Sequence, residues 1–256
     1  MKILITNDDG IYAPGLWILA KELSKVAEVI VVAPDREQSA VGTAVSLRKP
    51  LIVQKITPLA PGTQAYSVEG TPADSVILAL GKIVDKVDLV VSGINRGANL
   101  GEDVLISGTV GAALVGYLRG FPAIAVSTAE WDDVCLTNTG RFIAMLASKI
   151  HRSELGNNVF LNVNMPMLPV TEVKGVQITR LASKSHINTV EEGHDGKRTY
   201  YVLVRQAIEK EPEEKTDIWA INHGNISITP LNIFFGNRFS PAVLEGLCSG
   251  LLDELK

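Results

Sequence analysis

Cysteine, aromatic side chains and surplus charge are all scarce in this chain of 256 residues, and each scarcity removes a class of protein. The two cysteines, Cys135 and Cys248, stand far apart and outside any Cys-x-x-Cys pattern, so neither a disulfide framework nor a cysteine zinc site is indicated. Both read as buried free thiols, packed like small hydrophobes. Aromatic residues make up 5%, and 24 Lys and Arg against 28 Asp and Glu give a formal charge of −4. A binder of nucleic-acid polymers carries a basic stripe or stacking platforms, and this composition supplies neither. No apolar run approaches the ~20 residues that cross a bilayer. The start, Met1-Lys2 followed by a strand pattern, has no secretory h-region. The expectation is a soluble, cytoplasmic, globular protein with no membrane partner, consistent with 46% hydrophobic residues.

What is present is a regular alternation of strand and helix patterns. Ile3 to Thr6 reads as a strand, Pro14 to Lys25 as a helix with Leu16, Leu19, Ala20 and Leu23 on one face, and Val29 to Ala33 as a strand buried on both sides. Thr71-Pro72-Ala73-Asp74 has the chemistry of a helix start, with Thr71 as cap and Asp74 in the first turn. That helix is expected to run to Ile83. Strands at Asp88 to Val91, Ala123 to Ser127 and Val159 to Val163 alternate with helices at Thr109 to Arg119 and Leu136 to Ile150. The series predicts an α/β fold with a Rossmann-like, doubly wound and mainly parallel sheet. Leu51 to Val68, broken by Pro58, Pro61 and Gly62, reads as a hairpin-like excursion.

Beyond Pro166 the character changes. Polar Ser183 to Arg198, between strand-like runs at Val176 to Leu181 and Thr199 to Val204, reads as a lid, an arm or a disordered tip. Ile226 to Thr229 and the apolar stretch from Pro241 to Leu255 read as a late layer for subunit contact. The expected division is a catalytic core over 1–170 and a carboxy-terminal association region over 171–256.

In an open parallel sheet, ligands bind beyond the carboxyl ends of the strands where strand order reverses. Three polar clusters follow such ends: Asn7-Asp8-Asp9-Gly10, Pro34 to Ser39, and the glycine-rich segment Ser92 to Asp103. Adjacent carboxylates at Asp8 and Asp9 repel unless a cation or a proton relieves them. With the Ser39 hydroxyl and the Asn95 amide oxygen they form an all-oxygen set suited to one Mg²⁺ or Mn²⁺ ion. Ser39 and Asn95 are equally at home as loop caps. Ser107-Gly108-Thr109, directly before a helix, is either a phosphate cradle or an ordinary N-cap. Arg96 can grip a phosphate oxygen or serve a surface salt bridge.

Missing motifs narrow the field. There is no Walker A or dinucleotide glycine pattern after the first strand, no His-Glu-x-x-His and no Gly-x-Ser-x-Gly. His151, His186, His194 and His223 match no ligand spacing, and each reads as structural or solvated.

Taken together, these segments resemble the SurE survival-protein family of metal-dependent nucleotidases. The resemblance rests on Ile5 to Gly10, Ala33-Pro34-Asp35 with Gln38-Ser39, Gly70 to Asp74, Ser92 to Gly101, Asp103, Ser107 to Ala113, Thr216-Asp217 and Ser227 to Leu231. It implies hydrolysis of nucleoside 5′- and 3′-monophosphates, in some members short polyphosphate, by a dimer or tetramer built through swapped carboxy-terminal elements. It also implies metal ligation at Asp8, Asp9, Ser39 and Asn95. By the same reading Asp8 and Asp9 are catalytic, and Asn95, Arg96, Asn99, Ser107, Gly108 and Thr109 bind the phosphate. Ile106, Ala40 and Val115 depart from the family's common Tyr, Gly and Glu, and bear on substrate preference and loop geometry. Two rival readings are a glycosyltransferase-like sugar-nucleotide enzyme and a non-catalytic, metal-dependent nucleotide sensor.

Overall fold

Strands that are apolar on both faces need a helix layer on each side, and the chain supplies both. The structure is a computed structural model that describes residues 1–129, 132–153, 155–183, 187–205 and 212–232. Its elements are β1 (Lys2–Thr6), α1 (Pro14–Leu23), β2 (Glu28–Pro34), β3 (Val53–Ile56), β4 (Gln64–Val68), α2 (Pro72–Leu78) and β5 (Leu89–Arg96). There follow α3 (Gly108–Leu118), β6 (Ala123–Thr128), α4 (Asp133–Arg152), β7 (Phe160–Met165), β8 (Gly175–Ile178), β9 (Ile187–His194), β10 (Thr199–Arg205), α5 (Asp217–Asn222) and β11 (Asn225–Pro230).

Nine strands form one sheet in the order β3-β4-β2-β1-β5-β6-β7-β11-β8. From β4 to β7 every neighbouring pair is parallel. Strands β3 and β11 run antiparallel to β4 and β7, and β8 runs parallel to β11. The chain winds outward from β1 through β2 to β4, then returns to β5 and winds the other way through β6 to β7. The reversal therefore falls between β1 and β5, which puts a crevice at their carboxyl ends.

The period of two along β1 divides the core. Ile3 and Ile5 enter one cluster with Leu16, Leu19, Leu23, Leu136 and Ile143 of α1 and α4, while Leu4 enters the other with Val76, Val110 and Ala113 of α2 and α3. Each fully buried Ile or Leu contributes roughly 1.5–3 kcal/mol. At α2 the expected cap is a capping box, in which the Thr71 side chain accepts from Asp74 N and the Asp74 carboxylate accepts from Thr71 N. The helix continues as a π-helical turn over Ala79–Ile83.

Several expectations are corrected. The strand placed at Asp88 to Val91 continues to Arg96, because one extra residue between Ser92 and Asn95 bulges β5 against β6 without ending the pairing. Helix α1 stops at Leu23 rather than Lys25. Half of the polar segment from Ser183 to Arg198 is a strand, and β9 pairs with β10 as a separate two-stranded arm. The strand at 226–229 is a member of the main sheet, beside β7, rather than a late layer. Cys135 is half-buried rather than buried, with Sγ 3.4 Å from Thr128 Oγ1. Cys248, His186 and the stretch from Pro241 to Leu255 lie outside the described residues. No helix among the described residues is long and apolar enough to cross a membrane.

Candidate active site

Asn7-Asp8-Asp9-Gly10 turns the chain directly after β1. Asn7 is buried and its Nδ2 donates to Gly10 O at 3.0 Å, closing the turn. Asp8 is 5% exposed, and Asp9 is half-buried. Gln38 N donates to Asp8 O at 2.7 Å, which ties the segment after β2 to the turn and sets Ser39 beside it.

Helix α3 starts against the same carboxylate and beside Gln38. The Thr109 hydroxyl donates to Asp8 Oδ1 in a short hydrogen bond. A Cβ on Gly108 would lie 2.9 Å from both Cβ and Oδ2 of Asp8, so only glycine lets the helix come this close. Ser107 is the N-cap, and its Oγ accepts from Val110 N at 3.1 Å. The N-cap reading of Ser107 and a phosphate-facing turn are thus compatible, since the cap engages an amide further into the helix.

The bulge in β5 delivers the third component. Gly93, with φ +138°, lies so close to β6 that a Cβ would meet Val126 O at 2.3 Å. Two residues on, Asn95 Nδ2 donates to Gly97 O at 2.7 Å, which leaves Oδ1 as the atom available for a ligand. Arg96 is exposed, and its backbone N donates to Asp9 Oδ2 at 3.3 Å.

A cavity of about 100 Å³ opens between these segments, lined by Asp8, Ser39, Asn95, Arg96, Asn99, Asp103 and Ser107, together with Ala40 and Ile106. Asp9, Gly108 and Thr109 border it through their contacts with Asp8 and Arg96 rather than lining it. Asn99 is buried by a network behind the cavity, where Nδ2 donates to Ser127 Oγ at 2.9 Å and the backbone N donates to Asn164 Oδ1 at 2.9 Å. A larger cavity of about 650 Å³, lined by Cys135, Met165, Pro166 and Leu168 among others, shares no residue with this one and holds none of the strand-end carboxylates. Size is therefore a poor guide to the chemistry in this molecule.

Electrostatics distinguish the site further. Burial pushes the Asp8 carboxyl above its usual range, against the opposing pull of the Thr109 hydroxyl. Asp9 is pushed up to about 6 from an ordinary 3.8, first by burial and then by the Asp8 charge. Glu37 raises both, and its Oε1 accepts from Ser39 Oγ at 2.6 Å. Two carboxylates held together at a buried strand end are a poor arrangement for a protein alone and a good one for a cation.

The donor set therefore fits a hard divalent ion: two carboxylates, one hydroxyl and one amide oxygen, all oxygen. No group of three or more His, Cys, Asp or Glu suited to a metal occurs among the described residues. His151 and His194 are exposed away from the site, and His223 stacks on Trp219 with ring centroids 4.3 Å apart.

Sequence reasoning left Glu37 and Asp103 out of the candidate set. Both lay inside polar clusters it recognised, but a carboxylate in a loop carries no sequence signal of which way it faces.

Fold and site define a Rossmann-like α/β protein with an acidic, oxygen-lined crevice at its topological switch point. The family model described as survival protein SurE matches residues 3–188. A 5′-nucleotidase SurE of Dehalococcoides mccartyi is 56% identical over 236 residues, covering 91% of this chain and 89% of its own. A 5′-nucleotidase SurE of Moorella thermoacetica is 45% identical over 239 residues, covering 93% and 92%. The crystal structure of SurE protein from Aquifex aeolicus superposes with a TM-score of 0.83 at 34% identity, over 96% of this chain and 99% of that one. The chain belongs to the SurE survival-protein family.

Proposed function

We propose that this protein is a divalent-metal-dependent 5′-nucleotidase that hydrolyses nucleoside 5′-monophosphates to nucleoside and phosphate. The observation that carries this reading is the Asp8–Asp9 pair at the switch point, with Asp8 buried, Asp9 half-buried and both carboxyls pushed up, with Asn95 and Ser39 lining the same cavity and the start of α3 against Asp8. Relatives at 45–56% identity, each named a 5′-nucleotidase, support the same reading.

Asp8, Asp9, Ser39 and Asn95 would hold one Mg²⁺ or Mn²⁺ ion per subunit, which would supply Lewis acidity and lower the pKa of a water when bound. Thr109 fixes the orientation of Asp8 through its hydroxyl, and Gly108 lets that contact form. Asp9 accepts one longer contact, from Arg96 N, and in this reading one of the two carboxylates, Asp8 or Asp9, also takes the proton of the attacking water. The Arg96 guanidinium, the Asn95 and Asn99 amides and the Ser107 to Thr109 turn bind phosphate oxygens and hold the phosphorus in line. Few aromatic rings are available to stack a base, so recognition centres on phosphate and tolerates different nucleobases; nucleoside 3′-monophosphates and short polyphosphate are the further substrates that the family resemblance implies.

The arm formed by β9 and β10 exposes Val190, Tyr200, Tyr201, Val202 and Leu203. In this reading it is covered by a second copy, giving a dimer or tetramer of a cytoplasmic enzyme. The deciding measurement is phosphate release from a panel of nucleoside monophosphates and polyphosphate, with and without each metal. Free phosphate from AMP or GMP without an acceptor excludes a glycosyltransferase, and saturable nucleotide binding without phosphate release would replace the enzyme by a sensor.

A further inference from the structure

The segment joining β5 to α3 carries Asn99 and Asp103 into the cavity, so its position fixes part of the site. Two groups of contacts hold it. On one side Asn164 and Asn162 donate through Nδ2 to Asn99 O at 3.0 and 2.8 Å. On the other, Gly101 N donates to Asp217 Oδ2 at 2.7 Å.

Asp217 is wholly buried, and its other oxygen, Oδ1, accepts from Ala182 N and Ile218 N, each at 2.9 Å. Ala182 lies just before the arm. The chain returning from the arm comes back to the same point, where Asp217 N donates to Arg180 O at 2.9 Å and Arg180 N donates to Lys215 O at 3.0 Å. Leu100, Ala182 and Ile218 close this junction as one apolar cluster. Burial pushes the Asp217 carboxyl above its usual range while the amides of Gly101, Ala182 and Ile218 oppose the push.

We propose that Asp217 is a positioning residue that latches the root of the β9–β10 arm to the active-site segment at Gly101, with one carboxylate oxygen on each. Its side chain has no part in the metal and phosphate set, so it acts on turnover through the segment that carries Asn99 and Asp103. A carboxylate is required because both oxygens accept from backbone N–H groups. An asparagine would present an amide nitrogen to one of them and leave a buried donor unpaired. The latch joins the surface assigned above to a second copy with the assigned cavity, and it rests on that functional reading only where turnover is measured.

The test compares the full chain with Asp217→Asn under saturating Mn²⁺ and AMP, together with backbone amide exchange. In the folded variant kcat falls by about 10-fold or more while KM changes by less than about 3-fold. Exchange at Gly101 and Ala182 accelerates together, and exchange in β1 and β2 stays as in the parent. A variant that melts at lower temperature yet keeps the parental kcat overturns the proposal, because the contact is then structural only. Should Asp217→Asn fail to fold, native-state exchange on the parent decides: protection at Gly101 and Ala182 agrees within about 3-fold if one group latches both, and a difference beyond about 30-fold overturns it. If the parent itself releases no phosphate, the nucleotidase reading falls while the exchange comparison still judges the latch.

Discussion

The carboxyl edge of the sheet and the two-stranded arm invert each other. At the edge polar groups are buried: Asn7, Asp8, Asn99, Asp103 and Asp217 are all almost inaccessible, and packed helices hold them. On the arm apolar groups are exposed on the successive residues Tyr200, Tyr201, Val202 and Leu203, which alternate between the two sides of a two-stranded ribbon, Tyr201 at 66% and Leu203 at 72%. A fold buries polar groups at a cost unless they are paired, and it leaves apolar groups in water at a cost unless something covers them. Each region departs from the ordinary distribution, and each departure underlies one part of the proposal: a cation and phosphate at the edge, a second copy at the arm.

The largest expected effect breaks the edge. Asp8→Asn should lower metal-dependent phosphate release on the order of 10³-fold, since it removes a charged ligand while keeping an amide oxygen that can still accept from Thr109. Its circular dichroism should remain that of the parent, and retained activity would remove Asp8 from the chemistry. Next comes Gly108→Ala, whose methyl would overlap the Asp8 side chain and press on Gln38 O. We expect turnover to drop by about 10–100-fold and stability by about 1–3 kcal/mol, read from steady-state kinetics and urea unfolding.

On the arm, Leu203→Lys places a charge among the exposed apolar residues without touching the cavity. Sedimentation should then report a smaller species than the parent. An unchanged mass would mean that the arm is not a subunit contact.

The smallest effect concerns pH. Asp9 has a folded-state value of about 6 against an ordinary 3.8, so the folded protein binds the proton more tightly than the unfolded chain does. Its contribution to stability is complete below the ordinary value and is lost as pH rises through about 6. In metal-free protein this lowers the melting temperature by a few degrees between about pH 4 and 7, a slope that Asp9→Asn should flatten. Added Mn²⁺ should raise the melting temperature more at about pH 7.5 than at about pH 5, where protons compete for the same oxygens. Equal gains at both would place the ion away from Asp9.

Much of the edge was legible because local chemistry and fold grammar coincide there. Val29 to Ala33 can only be an inner strand, Thr71 to Asp74 can only start a helix, and alternation of the two patterns implies where strand ends gather. Asp8, Asp9, Ser39 and Asn95 follow from that geometry. The extension of β5 was not legible, since Gly93 within a glycine-rich run reads as the end of a strand when it marks a bulge. Nor was β9, because Glu191, Glu192 and His194 mask its alternation in a strand that has no core to face. Asp217 was visible as one half of a motif, but its partners lie 116 and 35 residues away.

The strands and helices of the core, the winding of the sheet and the polar strand ends that carry Asp8, Asp9, Ser39 and Asn95 were readable from the amino-acid sequence, because each depends on periodicity, capping and strand order within short stretches of chain. Tertiary structure alone decided that Thr109 grips Asp8, that Asn95 turns its nitrogen to Gly97 and keeps its oxygen for a ligand, and that Asp217 ties the arm to the cavity. Those choices rest on which atoms meet once distant segments pack, and on how far burial there shifts a charge.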